Sequence, residues 1–131
     1  IRNKKINFRF VFGKDNQACK TSLNAVQTIL SNLLSNAVKF TPTGGKIDLK
    51  IFYKDNQLIF EIADTGLGIP KPAQNKIFKK AYRADNVRNQ FEGTGFGLYI
   101  TKVIVDRMGG KIGLQSVPEK GTTFTVVLPK N

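Results

Sequence analysis

The chain has 131 residues, room for one core and one domain, and no apolar run approaches the ~20 residues of a membrane helix. A single cysteine, Cys19, excludes an internal disulfide and a cysteine-rich metal site, and the lack of any histidine excludes a histidine-based triad and an ordinary zinc centre. Lys and Arg number 21 against 9 Asp and Glu, a formal charge of +12 that attracts polyanions such as nucleic acid, an anionic membrane or nucleotide phosphates; the lysines are scattered singly, which is also the pattern of a solvated surface.

The chain opens on "IRNKKINF", with neither an initiator Met nor a signal-peptide pattern. It is expected to be a single domain, residues 1–131, taken from a longer protein. Residues 5–12, "KINFRFVF", alternate and predict a strand. "GKDNQACK" reads as a loop, and Ser22 is a good N-cap for a helix running to about Phe40, where "TPTGG" stops it. Two strands follow, "KIDLKIFY" and "QLIFEIAD", joined by "KDNQ" as a tight hairpin. "TGLGIPKP" is a Gly/Pro loop, and "PAQNKIFKKAY" suits a short helix. From Arg83 to Glu92 the chain is polar and aperiodic, the pattern of a mobile segment. A second long helix, roughly Gly97 to Met108, is apolar almost all round and is expected to be buried. "GG" ends it, and "KIGLQSV" and "TTFTVVLP" make a closing hairpin around "PEKG". These elements predict an α/β fold: a two-layer sandwich in which a mixed, mostly antiparallel sheet of about five strands packs on about three helices.

Three stretches carry chemistry. In the first helix Val26, Leu30, Leu33, Ala37 and Phe40 form the core stripe, while Thr28, Asn32, Asn36 and Lys39 form a second stripe. Asn is a poor-to-middling helix former, and two of them four apart read either as an exposed polar face or as oxygen donors for a hard metal. Mg²⁺ takes few protein oxygens alongside phosphates and water, and Lys39, near one turn on, is within reach of a phosphate. In "FEIADTGLGIP" an alternating strand ends on Asp64, followed by glycines that permit close approach. A buried carboxylate there accepts a hydrogen bond from an exocyclic amino group such as that of adenine; the plainer alternative is a turn with Asp as its local cap. In "FEGTGFGLYI" three glycines abut a helix start, which favours phosphate. The spacing is not G-x-G-x-x-G, and no G-x-x-x-x-G-K-[ST] loop occurs.

Taken in order, "NLLSNAVKFTPTGGKI", "ADTGLGIP", "IFKKAYRAD", "EGTGFGLYITK" and "GTTFTVVLP" resemble the N, G1, F and G2 boxes and the closing strand of the ATP-binding domain of sensor histidine kinases. That domain has the Bergerat fold, a class shared with Hsp90, gyrase B and MutL. The resemblance runs from about residue 5 to Leu128. It implies that ATP and Mg²⁺ are the cofactors, with Asn36 on the metal, Asn32 beside it as a second ligand and Lys39 near phosphate, these three being the catalytic set. It implies that Asp64 holds the adenine amino group in a pocket shaped by Gly66, Gly68 and Ile69. Phe78 matches the F-box aromatic, and Tyr82 and Arg83 match the pair at the root of the lid. Gly93, Thr94, Gly95, Phe96, Gly97 and Leu98 match the loop that closes over the triphosphate, and Thr123 matches a threonine near the adenine pocket.

Departures are few. Thr28 stands where many relatives carry an acid or Gln, Ser22 where an Asp is usual, "KKAY" where "PFY" is commoner, and Phe96 where a Leu is usual. The function implied is transfer of the γ-phosphoryl group of Mg-ATP to a histidine on a separate dimerisation domain of a two-component kinase. A response regulator lies further downstream, and no specific nucleic-acid partner is expected. The domain alone is expected to be a monomer, its parent a homodimer, and its location cytoplasmic, with the parent either free or anchored in the inner membrane. The alternatives are a clamp ATPase or anti-sigma-type serine kinase of the same class, or a nucleotide-binding domain without catalysis.

Overall fold

The computed structural model describes residues 6–12, 23–74, 76–79 and 97–129. In chain order these form β1 (Asn7–Phe12), α1 (Leu23–Phe40), β2 (Lys46–Lys54), β3 (Gln57–Asp64), a 3-10 turn (Lys71–Ala73), α2 (Gly97–Arg107), β4 (Lys111–Val117) and β5 (Gly121–Pro129). The five strands make one sheet in the order β1-β2-β3-β5-β4. Only β1 and β2 run parallel, and the other neighbours are antiparallel. With both α-helices on one face, this is the expected two-layer α/β sandwich.

Local chemistry explains the connections. The β2–β3 hairpin pairs Lys54 with Gln57 across Asp55 and Asn56, which stand at φ 54° and 62°. Two left-handed residues in a two-residue loop match the right-handed twist of the strands, and Asp and Asn tolerate that conformation best after Gly. The core follows from period two in the strands. Leu58, Phe60 and Ile62 of β3 and Phe124, Val126 and Leu128 of β5 all turn to the helical layer and are buried. They meet Ile29, Leu33 and Ala37 of α1, one row at four-residue spacing, and Val105 of α2.

Three sequence expectations shift. Ile29, absent from the predicted stripe, is fully buried, whereas Val26, Leu30 and Phe40 are half-buried; the row through Leu33 and Ala37 runs back to Ile29 rather than to Leu30. The second helix buries only Thr101 and Val105 outright and leaves Tyr99 and Ile100 exposed, because only one side of it meets α1 and the sheet. The short helix expected from Pro72 is a 3-10 turn followed by i→i+3 bonds from Lys76 N to Ala73 O and from Lys79 N to Lys76 O, since Pro70 and Pro72 each lack an N–H to donate. Ser22, the loop 13–20 and the segment 83–92 lie outside the described residues.

Candidate functional site

Asp64 closes β3 on the helix-facing side of the sheet. Its Oδ1 accepts the backbone N–H of Gly66 at 2.8 Å, and the backbone N–H of Thr122, its cross-strand neighbour, also donates to the carboxylate. Burial pushes the carboxyl above the usual Asp range, and the two N–H groups pull it only part of the way back. Among the described residues no cation is paired with it. A carboxylate so placed still has lone pairs to offer, since each oxygen accepts two hydrogen bonds.

The loop after Asp64 is clamped on three sides. A Cβ on Gly66 would lie 2.3 Å from the carbonyl oxygen of Phe40, so the loop touches the last turn of α1 backbone to backbone; Leu67 N donates to that same oxygen at 3.2 Å. Gly68 stands at φ +70°, and a Cβ there would meet Val117 O at 2.2 Å, a position only glycine occupies without strain. From the far side Glu119 N donates to Leu67 O at 2.6 Å. Ile69 N donates to Ser116 Oγ at 2.8 Å, and Gln74 Nε2 donates to Ile69 O at 3.0 Å and Ser116 O at 3.1 Å. The loop after Asp64 is therefore tied into the fold by both α1 and the β4–β5 hairpin.

Helix α1 links this loop to α2. Asn32, Asn36 and Phe40 follow at four-residue spacing along one row, a span of about 12 Å at 1.5 Å per residue. Phe40 O meets the Gly66–Leu67 turn. Asn32 Nδ2 reaches Gly97 O at 3.4 Å and Thr101 Oγ1 at 3.3 Å at the start of α2. Asn36, half-buried, sits between these two contacts, and Lys39 is exposed near it. The Thr28 hydroxyl, exposed, bonds back to Asn24 O at 3.0 Å.

The remaining expectations divide clearly. Gly97 opens α2, and a Cβ on it would meet nothing within 4 Å; Leu98 packs against the core. Ile69 is buried with Ile77, and the Phe78 ring stands edge-on to Phe124, centroids 6.2 Å apart at 76°. Tyr82, Arg83, Gly93, Thr94, Gly95 and Phe96 lie outside the described residues. Thr123 is a correction: it pairs with Ala63 on the opposite face of the sheet, because strand side chains alternate. The threonine that shares Asp64's face is Thr122, buried, with its Oγ1 2.9 Å from Ser116 Oγ.

Sequence reading missed Thr122, Ser116, Gln74 and Gly121. A Cβ on Gly121 would lie 2.1 Å from Asp64 O, so β5 begins in direct contact with the acid's backbone. A signal existed for Ser116, a lone polar residue on the inward face of β4 after Ile112 and Leu114.

No group of three or more His, Cys, Asp or Glu among the described residues suits a metal ion by itself. One carboxamide oxygen, that of Asn36, would be a hard ligand for a Mg²⁺ ion whose other ligands came from phosphate and water.

The mixed sheet with helices on one face, with a half-buried acid at the end of β3 beside glycine turns, defines a two-layer α/β sandwich. Residues 21–131 match the family described as histidine kinase-, DNA gyrase B-, and HSP90-like ATPase, and the chain belongs to that family. It is 43% identical over 106 residues to the circadian input-output histidine kinase CikA of Synechococcus elongatus, covering 80% of this chain and 14% of the relative. Among solved structures it superposes on the mycobacterial sensor histidine kinase MprB with TM-score 0.83 and 25% identity, over 96% of this chain and 84% of that one. Full-length ShkA in complex with AMPPNP gives TM-score 0.84 and 27% identity, over 98% of this chain and 26% of ShkA. The chain thus spans a small part of the length of the curated kinase it matches.

Proposed function

We propose that this chain is the ATP-binding catalytic domain of a sensor histidine kinase. The observation that carries the reading is Asp64: a half-buried carboxylate without a cation partner among the described residues, fixed by the N–H groups of Gly66 and Thr122. Such a group accepts a hydrogen bond from the adenine amino group and discriminates against guanine, whose six-position oxygen offers no proton. Thr122, on the same face as Asp64, takes the role expected of Thr123. Likeness to ShkA, solved with AMPPNP, supports a nucleotide in this site, and likeness to kinases many times longer supports a further domain.

In this reading Asn36 contributes an oxygen to Mg²⁺, which neutralises phosphate charge when bound. Asn36, Lys39 and the start of α2 orient the triphosphate; Tyr82, Arg83 and the glycines at 93 and 95, outside the described residues, belong to the same set by their motifs. Phosphoryl transfer needs chiefly such positioning and charge neutralisation. The acceptor nitrogen attacks the γ-phosphorus as the bond to the bridging oxygen breaks and ADP leaves. The chain contains no histidine, so the acceptor belongs to a separate dimerisation domain, which passes the group on to a response regulator. Among the described residues no helix is long and apolar enough to cross a membrane.

The test is calorimetry with ATP and GTP, followed by incubation with γ-labelled ATP. ATP should bind and GTP should not. Acid-labile label should appear on an added dimerisation domain and never on this chain. Equal affinity for the two nucleotides refutes the reading of Asp64, and brisk ATP hydrolysis without a partner favours a clamp ATPase.

A further inference from the structure

Thr101 is fully buried in α2, and its hydroxyl donates to Gly97 O at 2.9 Å. A threonine bonding back to the carbonyl four residues earlier is common in helices and says nothing about function. The third group is what is not local. Asn32 Nδ2, from α1, reaches both Thr101 Oγ1 at 3.3 Å and Gly97 O at 3.4 Å, two long contacts sharing one amino group. Gly97 O only accepts, so the amino end of the carboxamide must face α2. Valine would fill the same volume without burying a hydroxyl, so packing alone does not call for threonine here.

We propose that Thr101 is a positioning residue for the triphosphate end of the site: its hydroxyl and the Asn32 carboxamide together pin the first turn of α2 to α1, one helical turn from Asn36. The inference rests on the nucleotide reading above. The first turn of α2 carries backbone N–H groups with no intrahelical acceptor, and the clasp sets their aim relative to Asn36. Asn32 then acts through α2 by its amino group, a role beyond the one its motif implied.

The experiment compares affinities for AMPPNP with Mg²⁺ and for adenosine, by calorimetry, in the unaltered chain, Thr101→Val, Thr101→Ser, Asn32→Ala and the Thr101→Val/Asn32→Ala double variant. Adenosine reports only the Asp64 end. Thr101→Val should lower the AMPPNP-to-adenosine affinity ratio about tenfold, the scale of one buried hydrogen bond. Thr101→Ser should restore it, and the double variant should lose no more than either single one. An unchanged ratio in Thr101→Val, equal loss in Ser and Val, or additive losses would overturn the proposal. If the valine chain does not fold, Asn32→Ala decides alone: the ratio should fall while binding keeps its response to Mg²⁺, and loss of that response makes Asn32 a ligand. An unaltered chain that binds neither compound overturns the nucleotide reading and the proposal with it; one that binds both leaves failure of the ratio test to count against the clasp alone.

Discussion

Gly66 and Phe40 meet backbone to backbone: a Cβ on Gly66 would lie 2.3 Å from the Phe40 carbonyl oxygen and 2.9 Å from the carboxylate of Asp64. The C-terminal turn of α1 and the Asp64 carboxylate are thereby one mechanical unit. Gly66→Ala should destabilise the domain by roughly 1–3 kcal/mol, the usual scale of overpacking, and weaken ATP binding as well. Urea unfolding measures the first and calorimetry the second. Wild-type values in both would mean that the contact yields freely.

Gly97→Ala should behave in the opposite way. No protein atom lies within 4 Å of the added methyl, and alanine is the better helix former by about 0.8–1 kcal/mol in a helix interior, less at a first turn. The variant should therefore be at least as stable as the parent in urea. Reduced affinity for ATP with unchanged affinity for adenosine would place the phosphates against this turn; equal losses for both ligands would contradict that placement.

Asp64→Asn separates stability from function through its pH dependence. Because burial raises the native carboxyl's pKa, the native state holds its proton where the unfolded chain has lost it. The ionised acid thus costs stability as pH rises through the ordinary Asp range to the raised native value, and the cost stays constant above it. Asparagine carries no such cost. The variant should match or exceed the parent in stability at pH 7, with the difference shrinking below the ordinary carboxyl range. ATP affinity should fall by roughly 1.5–3 kcal/mol, the worth of a hydrogen bond to a charged group. A variant markedly less stable at pH 7 would make Asp64 a structural residue.

Much of the sheet was legible because its signals are local. The alternation in "QLIFEIAD" and the Asp55–Asn56 pair suffice for a hairpin whatever surrounds them. The buried face of α2 was not, because "GLYITKVIVDR" is apolar on sides that the fold leaves open, and exposure of Tyr99 and Ile100 depends on what else packs nearby. The acid at the end of β3 could be picked out from the strand pattern and the glycines after it. Its surroundings were hidden, since Thr122 reaches it, and Ser116 reaches Thr122, only through strand register. Thr123 against Thr122 is a shift of one residue, and in a strand one residue is a change of face.

Asn36→Ala should leave the helix intact, alanine being the stronger helix former, while removing a metal oxygen. ATP binding should lose its response to Mg²⁺, and label transfer to an added dimerisation domain should be abolished. Transfer at the parent's rate would show that Asn36 holds no metal.

The most direct measurement of the central claim is an amide-resolved NMR titration of the chain with ATP and GTP. The N–H groups of Gly66 and Thr122 both point at the Asp64 carboxylate, so each reports on any new donor arriving there. ATP should shift both resonances at concentrations where GTP leaves them in place. Binding of ATP with Gly66 and Thr122 unmoved, or equal shifts with GTP, would contradict an adenine site at Asp64.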